Sequence, residues 1–415
     1  MKRIKVAHIT TVAHSLQYLL LNQLKTIQAN GYEVVGISSP GEEVPLIETK
    51  GIRHVAIPMS RKVTPLLDLV SLVRLYQVMR EEAFTIVHTH TPKAGLLGQL
   101  AARLAGVPIV VNTVHGLYLH DHMHPILRQF YIGLEKMAAH CSDVILSQSR
   151  EDIQIASSAG ICPPEKMIHL GNGIDLSVFN RDHITSDDIR RKRQQLGISD
   201  DTHIVGFVGR LAGKRKGFID FLKAAQRVVR HCPNVRLLII GGEDVGQADA
   251  VGPSTAKDYG VFDQCLFLGF RSNNELPSLY AVMDLLVLPS LFEGMPRVVI
   301  EAAVMGVPAV VTNVKGNREV VEHGRNGLLV PLGDIQTLAD AIIELLTDHE
   351  KAKRMGKEGY RMARERYDER RVFEQVVTEY SKLLAVKGVS APVAHLISTE
   401  LAGASSQSSQ SQSGV

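Results

Sequence analysis

Short apolar runs alternate with longer amphipathic segments along most of the chain. The first half predicts strands at 4–10, 32–38, 53–57, 85–89, 108–112, 143–147 and 166–170. Segments with helical periodicity lie between them, at 15–29, 65–82, 93–105 and 125–140. Strands that read as near-continuous Val and Ile are buried on both faces, so the pattern predicts a parallel sheet with helices on each side.

The alternation stops in a polar, charged segment and then begins again. Its second part predicts strands at 203–209, 235–241, 265–269, 284–288, 308–312 and 327–330. The chain is therefore predicted to be α/β, with two doubly wound parallel-sheet domains facing each other across a cleft. The predicted divisions are an N-terminal domain at 1–180, a linker at 181–202, a C-terminal domain at 203–367, a helix at 368–386 that crosses back to the N-terminal domain, and a disordered tail at 387–415.

Composition excludes several other classes of protein. The 415 residues are 45% hydrophobic and carry a formal charge of +3, which excludes a disordered chain and does not indicate nucleic-acid binding. The four cysteines form no CxxC pair, and no run of 18 apolar residues predicts a transmembrane helix. The N-terminus is typical of a first strand rather than a signal peptide. We expect a cytoplasmic protein.

The segment PSLFEGMPRVVIEA indicates a site at the start of a helix. Glu293 follows the strand predicted at 284–288, and Pro296 is predicted as the first helical residue. Free amides and the helix dipole together would suit a diphosphate. Glu293 lies at the mouth of this site, and Glu301 would face another part of the same ligand. The alternative is that neither residue binds a ligand: Glu293 would be a residue of the helix-capping region, and Glu301 a solvated residue on the helix. The other candidates here are Met295, Arg297 and Val298.

A basic loop follows the first strand of the second domain, within FVGRLAGKRKGF. Its position at the carboxyl end of a strand suits phosphate binding, because guanidinium and ammonium groups neutralise oxyanions. It is not a P-loop, since GxxxxGK[ST] is absent. A solvated basic loop is the alternative. The candidates are Gly209, Arg210, Lys214, Arg215 and Lys216.

Histidines occupy two further loops that follow strands. His115 could hydrogen-bond a substrate or be a structural histidine, and His14 is expected in the cleft beside Ser15, which is predicted to cap the next helix. The loop that holds His14 has no glycine, which disfavours a dinucleotide site and an NAD-dependent dehydrogenase.

No metal site is predicted. His120, His122 and His124 lack companion carboxylates and are interpreted as loop residues. The sequence contains no Asp-x-Asp pair that could hold a divalent cation, and no cofactor is expected.

Five segments in order resemble the retaining glycosyltransferases of family 4, which have the GT-B fold. They are the domain-crossing loop GNGIDLSVF, which contains Asn172, VGRL with its downstream Lys-Gly, PSLFEGMPRVVIEA, GVPAVVT and VVEHGRNGLLVP. HITTVAHSL and HTHTPKAGLLGQLAARLAG also resemble the subgroup that builds bacterial surface polysaccharides on lipid-linked acceptors. The resemblance covers residues 1–385.

The resemblance implies a role for several residues. Arg210 and Lys216 would hold the donor diphosphate, Glu293 would contact the transferred sugar, Glu301 would bind the ribose hydroxyls, and His115 would approach the donor sugar. The spacing from Arg210 to Lys216 is one residue longer than usual, so Lys214 and Arg215 stay candidates for the phosphate.

The predicted function is transfer of a hexosyl or N-acetylhexosaminyl unit from a nucleotide-diphosphate sugar, with UDP as the expected nucleotide. The acceptor is expected to be a glycan or a lipid-diphosphate-linked sugar. A contact with the inner face of the membrane is expected through the apolar helix 65–82 and the preceding Arg61 and Lys62. A nucleotide-sugar epimerase of the same fold and a non-catalytic nucleotide-sugar-binding protein are the alternatives.

Overall fold

A computed structural model describes residues 3–120, 123–243 and 249–392. Its strands are β1 (Lys5–Val12), β2 (Glu33–Ser39), β3 (Arg53–Ala56), β4 (Ile86–Thr89), β5 (Ile109–Val114), β6 (Val144–Ser147), β7 (Met167–His169), β8 (His203–Val208), β9 (Val235–Ile240), β10 (Cys265–Gly269), β11 (Leu285–Leu288), β12 (Ala309–Thr312) and β13 (Gly327–Val330). Each predicted strand overlaps one of these, because buried Val and Ile runs suit a sheet covered on both faces.

The helices cover both faces of the sheets. They are α1 (Ala13–Ser15), α2 (Leu21–Ala29), α3 (Val44–Thr49), α4 (Pro65–Glu82), α5 (Pro92–Ala105), α6 (Pro125–Cys141), α7 (Arg150–Ser158), α8 (Ser186–Gln195), α9 (Phe218–His231), α10 (Thr255–Asp258), α11 (Leu276–Tyr280), α12 (Arg297–Val304), α13 (Asn317–Val320), α14 (Ile335–Thr347), α15 (His349–Arg366) and α16 (Glu369–Val386). A π-helical turn at Leu16–Leu20 joins α1 to α2. Short 3₁₀ turns lie at Pro164–Lys166, Arg181–His183 and Phe262–Gln264.

Two parallel sheets organise the chain. The first has seven strands in the order β3-β2-β1-β4-β5-β6-β7, and the second has six in the order β10-β9-β8-β11-β12-β13. Every strand pairing is parallel. The predicted α/β class with two doubly wound sheets is therefore confirmed. In each sheet the strand order reverses at the amino-proximal strand, β1 or β8, which is where a doubly wound fold opens a crevice for ligands.

The last helix belongs to the core of the first sheet. Val376, Tyr380 and Leu384 of α16 are buried in one apolar cluster with residues of β1, α2 and β5. The chain enters this helix beside the domain-crossing loop, where Ile174 forms a bridge with Asp368. The exact limits of the two domains stay a prediction, as does the disordered tail, of which residues 393–415 lie outside the described residues.

Two local predictions are wrong. The first helix begins at Ala13, so Ser15 lies within it and makes no capping hydrogen bond. Pro296 has φ −73° and ψ 104°, so it is the extended residue before α12 rather than its first helical residue. The polar segment 181–202 also contains α8, which begins with a reciprocal capping box between Thr185 and Asp188.

Candidate active site

Loops from the two domains touch at the carboxyl ends of β5 and β11. A Cβ atom added to Gly294 would lie 2.1 Å from the carbonyl oxygen of His115, and one on Gly116 would lie 2.6 Å from the Cα of Gly294. On the other side, a Cβ on Gly316 would lie 2.4 Å from the Gly294 oxygen. Only glycine allows this approach, and Gly116 (φ 127°) and Gly316 (φ 79°) also have backbones that other residues disfavour. The structure therefore has a closed cleft.

Glu293 and Lys216 form an ion pair beside this contact. Lys216 Nζ lies 2.7 and 3.0 Å from the two Glu293 carboxylate oxygens, and the Ser290 hydroxyl donates a 2.6 Å bond to the same carboxylate. Glu293 is only 9% exposed. The lysine reaches it because Gly217 packs directly on the loop after β11, where a Cβ would lie 1.9 Å from the Pro289 oxygen.

The rest of the basic loop lies nearer the surface. Arg215 is half-buried. Its backbone amide donates to the Asp249 carboxylate, and its carbonyl oxygen accepts from the amide of Leu291. The second bond joins the basic loop to the loop after β11. Lys214 and Arg210 are exposed, and Gly209 joins them to β8. Of the three basic residues 214–216, the structure thus brings Lys216 to Glu293.

The start of α12 is held by the domain-crossing loop. The Asn172 side chain donates to the Met295 carbonyl over 3.3 Å, and the Arg297 guanidinium donates to the Gly173 carbonyl over 3.1 Å. Within the described residues, the backbone amides of Arg297 and Val298 have no hydrogen-bond acceptor. The first turn of α12 therefore offers two amides to an anionic ligand.

Glu301 is a buried carboxyl rather than a solvated one. It is 5% exposed, accepts a 2.9 Å bond from the Tyr280 hydroxyl, and lies 3.8 Å from the Arg297 guanidinium. Burial raises its pKa, and the Arg297 charge opposes that shift. One carboxylate oxygen has a partner in Tyr280, and the other is left to Arg297 or a ligand.

Histidines that the sequence analysis passed over extend inward from His115. Its Nε2 lies 3.2 Å from His90 Nδ1, and His90 Nε2 lies 3.0 Å from His8 Nδ1. Tyr380 joins His8 to His88. Burial lowers the pKa of His8 to about 3 and that of His115 to about 4, and it places the pKa values of His88 and His90 well below the ordinary range. The signal was available, because His88 in β4 and His90, directly after that strand, are two residues apart and so lie on the same face.

This histidine group has the composition and spacing of a metal site, but its nitrogens already have hydrogen-bond partners. The side-chain nitrogens of His8, His88 and His90 lie within 4.8 Å of one another. Their ring nitrogens, however, are hydrogen-bonded to each other, to Tyr380 and to other side chains, so an ion would have to replace these bonds.

The remaining predicted histidines lie apart from Glu293 or pack in the loop beside it. His14 is exposed, bonds to Glu43 over 3.0 Å, and meets Tyr18 and Phe270 in an aromatic contact across the cleft. His120 stacks on Phe292, with ring centroids 5.0 Å apart. His124 precedes α6, and His122 lies outside the described residues.

Two side chains after β12, which the sequence did not single out, fasten the domains together. Lys315 is 6% exposed and reaches across the cleft, where its Nζ lies 2.5 Å from Asp152 and 2.5 Å from the Leu117 carbonyl. The Glu319 carboxylate accepts 2.8 Å bonds from the Ser149 hydroxyl and the Glu151 amide. A carboxylate from one domain therefore caps helix α7 of the other.

Comparison with known proteins agrees with this architecture. The family model described as "Glycosyl transferases group 1" matches residues 188–362, and that described as "Glycosyltransferase Family 4" matches residues 17–178. The crystal structure of HepE from Anabaena with UDP and glucose superposes with a TM-score of 0.77 at 23% identity, covering 92% of this chain and all of that one. The fold is that of the GT-B class, two Rossmann-like domains around a cleft.

Two curated relatives are similar along most of their length. A galactosyltransferase from Escherichia coli, named UDP-Gal:alpha-D-GlcNAc-diphosphoundecaprenol alpha-1,3-galactosyltransferase, is 31% identical over 83% of this chain and 89% of its own. The capsular polysaccharide biosynthesis glycosyltransferase CapM from Staphylococcus aureus is 29% identical over 92% of this chain and 98% of its own. The chain belongs to glycosyltransferase family 4 and is a glycosyltransferase.

Proposed function

We propose that the protein transfers a sugar from a UDP-sugar to a lipid-diphosphate-linked glycan with retention of anomeric configuration, in bacterial surface polysaccharide synthesis. The observation that carries this is the buried Lys216–Glu293 pair beside the free amides of α12, at the contact between the domains. A diphosphate would be neutralised by Arg210, Lys216 and the helix start, and Glu293 would accept bonds from the sugar hydroxyls. The names of the two relatives support the substrate class.

Catalysis would rest on stabilising the leaving group. As the bond from the anomeric carbon to the UDP oxygen breaks, negative charge grows on the diphosphate beside Arg210, Lys216 and the α12 amides. The acceptor hydroxyl attacks from the same face and gives its proton to the departing phosphate. Closing the cleft keeps water from competing with the acceptor.

An assay with a panel of UDP- and GDP-sugars tests this function. The acceptor is synthetic GlcNAc-diphosphoundecaprenol, and NMR of the product reports its anomeric configuration. We expect a UDP-sugar to react with retention, and Glu293→Gln to abolish turnover. An inverted product would contradict the mechanism, and conversion of the donor without acceptor would favour the epimerase.

We expect activity in the presence of a chelator, because cationic side chains and amides offset the diphosphate charge. Activity that returns only with Mg²⁺ or Mn²⁺ would contradict this.

A lipid-linked acceptor requires the N-terminal domain to meet a bilayer, and one face of that domain suits such contact. Helices α4 and α6 both pack on α5 and expose a large apolar surface. We call it the apolar face; it comprises Leu66, Leu69, Val70, Val73, Leu104, Ile126, Leu127, Phe130 and Met137. Exposed Arg74, Arg80 and Lys136 belong to the same helices and would attract anionic headgroups.

Within the described residues, no helix is long and apolar enough to cross a membrane. On the strength of the apolar face and its flanking basic residues, we propose a peripheral contact at the cytoplasmic side. Vesicle co-sedimentation with phosphatidylglycerol or phosphatidylcholine tests it. We expect salt-sensitive binding to the anionic vesicles, weakened at least severalfold by Leu66→Ser. The control is Leu46→Ser on α3, another exposed leucine away from this face. Equal binding by both variants, or none at low salt, would contradict the membrane contact.

A further inference from the structure

Four aromatic rings form a row that leads from the apolar face to the residue before Glu293. We call it the aromatic row, and its members in order are Phe130, Tyr131, Tyr118 and Phe292. Neighbouring ring centroids lie 5.8, 5.2 and 5.1 Å apart, at interplanar angles of 68°, 60° and 90°. Phe130 belongs to the apolar face, and Phe292 directly precedes Glu293. The row therefore joins the proposed membrane contact to the proposed reaction centre.

The aromatic row is a surface rather than a part of the core. Phe130 is 56% exposed and Tyr118 is 40% exposed, while Tyr131 and Phe292 are half-buried. In the described part of the chain, neither tyrosine hydroxyl has a hydrogen-bond partner. Aromatic faces with a few free polar groups are typical of the lining of a ligand site.

Tyr118 is held in place by the contact between the domains. The amide of Leu117, the residue before it, donates to Asp152 over 2.9 Å, and the Leu117 carbonyl accepts from Lys315. The Tyr118 ring then meets Phe292 of the other domain edge to face. The row is therefore continuous only when the two domains are closed, which is also the form in which sugar transfer would occur.

A cationic side chain lies beside the row. Arg128 is half-buried and comes three residues before Tyr131 on α6, so the two side chains are neighbours on the helix surface. Its guanidinium forms no ion pair or hydrogen bond with another residue that the structure describes. An unpaired guanidinium matches the geometry of a phosphate group.

We propose that the aromatic row and Arg128 bind the lipid-diphosphate-linked sugar that accepts the transferred unit. The inference rests on the proposed function and adds the place of the acceptor. The lipid chain would lie on Phe130 and the apolar face, the diphosphate at Arg128, and the sugar ring on the two tyrosines, with a hydroxyl beside Glu293.

The chemistry of the row favours this ligand over a soluble glycan. The negative face of an aromatic ring attracts the C–H groups of a sugar ring, and the free tyrosine hydroxyls can bond to its oxygens. A soluble glycan would use these rings but would need neither an exposed Phe130 nor an unpaired Arg128. A lipid-linked sugar diphosphate has an apolar, an anionic and a sugar part, and each has a counterpart along the row.

Binding of defined acceptors tests the site without catalysis. We would titrate the protein calorimetrically, with UDP present, with GlcNAc-diphosphate-octyl. We expect Tyr118→Leu to weaken this binding about threefold to tenfold and to leave the affinity for UDP unchanged. Phe262→Leu, which alters a ring that is 37% exposed in the other domain, is the control and should change neither. Wild-type binding by Tyr118→Leu, or no binding by the wild type, would overturn the proposal.

A second probe tests the role of Arg128. The octyl glycoside of GlcNAc has the same sugar and chain but no diphosphate. We expect Arg128→Gln to weaken binding of the diphosphate probe about tenfold or more and to leave binding of the glycoside unchanged, whereas Arg128→Lys keeps part of the effect. Arg230→Gln, at an exposed position on α9, is the control. An equal loss for both probes would mean that Arg128 does not bind the diphosphate and would overturn this assignment.

Kinetics separate an acceptor site from a contact that only closes the cleft. In the transferase assay, we expect Tyr118→Leu to raise the KM for GlcNAc-diphosphoundecaprenol more than it lowers kcat. A fall in kcat with an unchanged acceptor KM would assign the row to domain closure and overturn the proposal. Binding of the diphosphate probe without any turnover would contradict the proposed function and leave the acceptor site standing. Turnover that neither Tyr118→Leu nor Arg128→Gln affects would do the opposite.

Discussion

At the scale of single residues, Glu293 and Lys216 form an ion pair beside the contact between the domains. A carboxylate that is 9% exposed needs a counter-charge, and Lys216 supplies it through two short contacts. The same ammonium group would meet the diphosphate of a donor. In the proposed function, Lys216 would therefore link sugar recognition to leaving-group stabilisation.

Replacement of Lys216 tests this link. We predict that Lys216→Met lowers kcat about 10²–10³-fold, because one preorganised charge is lost and Glu293 is left unpaired. The matched control is Lys214→Met, which removes an exposed charge two residues away. Steady-state kinetics with UDP-sugar decide between them. A larger effect at Lys214 would mean that a different lysine holds the phosphate.

Glu301 gives a second prediction. We expect Glu301→Gln to weaken UDP binding by about 1–3 kcal/mol, because an amide accepts hydrogen bonds at only one end. The Tyr280 hydroxyl can still donate to that amide oxygen, so the fold should persist. Calorimetric titration with UDP measures the change, and Glu350→Gln on the exposed side of α15 is the control. Unchanged affinity would remove Glu301 from the nucleotide site.

The buried histidines predict sensitivity to acid. The folded pKa of His8 is about 3 and that of His115 about 4, against about 6.5 in an unfolded chain. Below pH 6.5 the unfolded chain therefore binds protons that the folded chain does not, so the free energy of unfolding falls as pH falls. Each such histidine contributes about 1.4 kcal/mol per pH unit.

Urea unfolding at pH 7.5, 6.5 and 5.5, followed through the N-terminal domain, measures this dependence. We expect the unfolding midpoint to drop steeply below pH 6.5. His8→Gln should reduce the slope by about one proton, and His140→Gln, at an exposed position on α6, should not change it. A slope that is the same in both variants would mean that His8 titrates normally in the folded protein.

At the scale of elements, three glycine-containing loops determine how closely the two sheets approach. Gly294 has no unusual backbone angle, so its only steric demand is the 2.1 Å distance from an added Cβ to the His115 oxygen. We predict that Gly294→Ala holds the cleft partly open and lowers kcat about tenfold or more, while each domain stays folded. Gly133→Ala, with open space around the added Cβ, is the control. Normal kcat in Gly294→Ala would show that turnover does not need this contact.

At the scale of the whole molecule, the buried ion pair of Lys315 with Asp152 joins the two domains across the cleft. Burial raises the pKa of Asp152, so this carboxyl depends on the lysine to stay charged in the closed form. We predict that Lys315→Ala shifts the molecule toward an open form and lowers kcat about 10–100-fold, since breaking a buried ion pair costs about 3–5 kcal/mol.

Small-angle scattering measures this opening. The radius of gyration should rise in Lys315→Ala and should return toward the wild-type value in the double variant Lys315→Met/Asp152→Asn, which leaves no unpaired charge. Arg318→Ala breaks an exposed pair with Glu151 and should change little. An unchanged radius in Lys315→Ala would mean that other contacts are sufficient for closure.

The sequence by itself determined the two-sheet architecture and the loops of the site. Strands buried on both faces need continuous apolar runs, so all thirteen could be located from local pattern. Loops at strand ends gave Glu293, the basic loop and His115, because ligands of open α/β sheets bind there. The local errors at Ser15 and Pro296 concern the residue at which a helix begins. That residue is set by backbone angles, and residue type only favours some of those angles over others.

Tertiary structure decided which of these residues meet. The sequence resemblance implied Lys216 but left Lys214 and Arg215 open, and the packing of Gly217 against Pro289 brings Lys216 to Glu293. The partners of the buried histidines and of Lys315 could not be predicted for the same reason, because they lie 25 to 372 residues away along the chain. Local pattern reports what a residue is and which face it occupies. Only the folded chain decides which charged group, aromatic ring or carbonyl oxygen lies opposite a given side chain, because the choice of partner depends on how the two domains close.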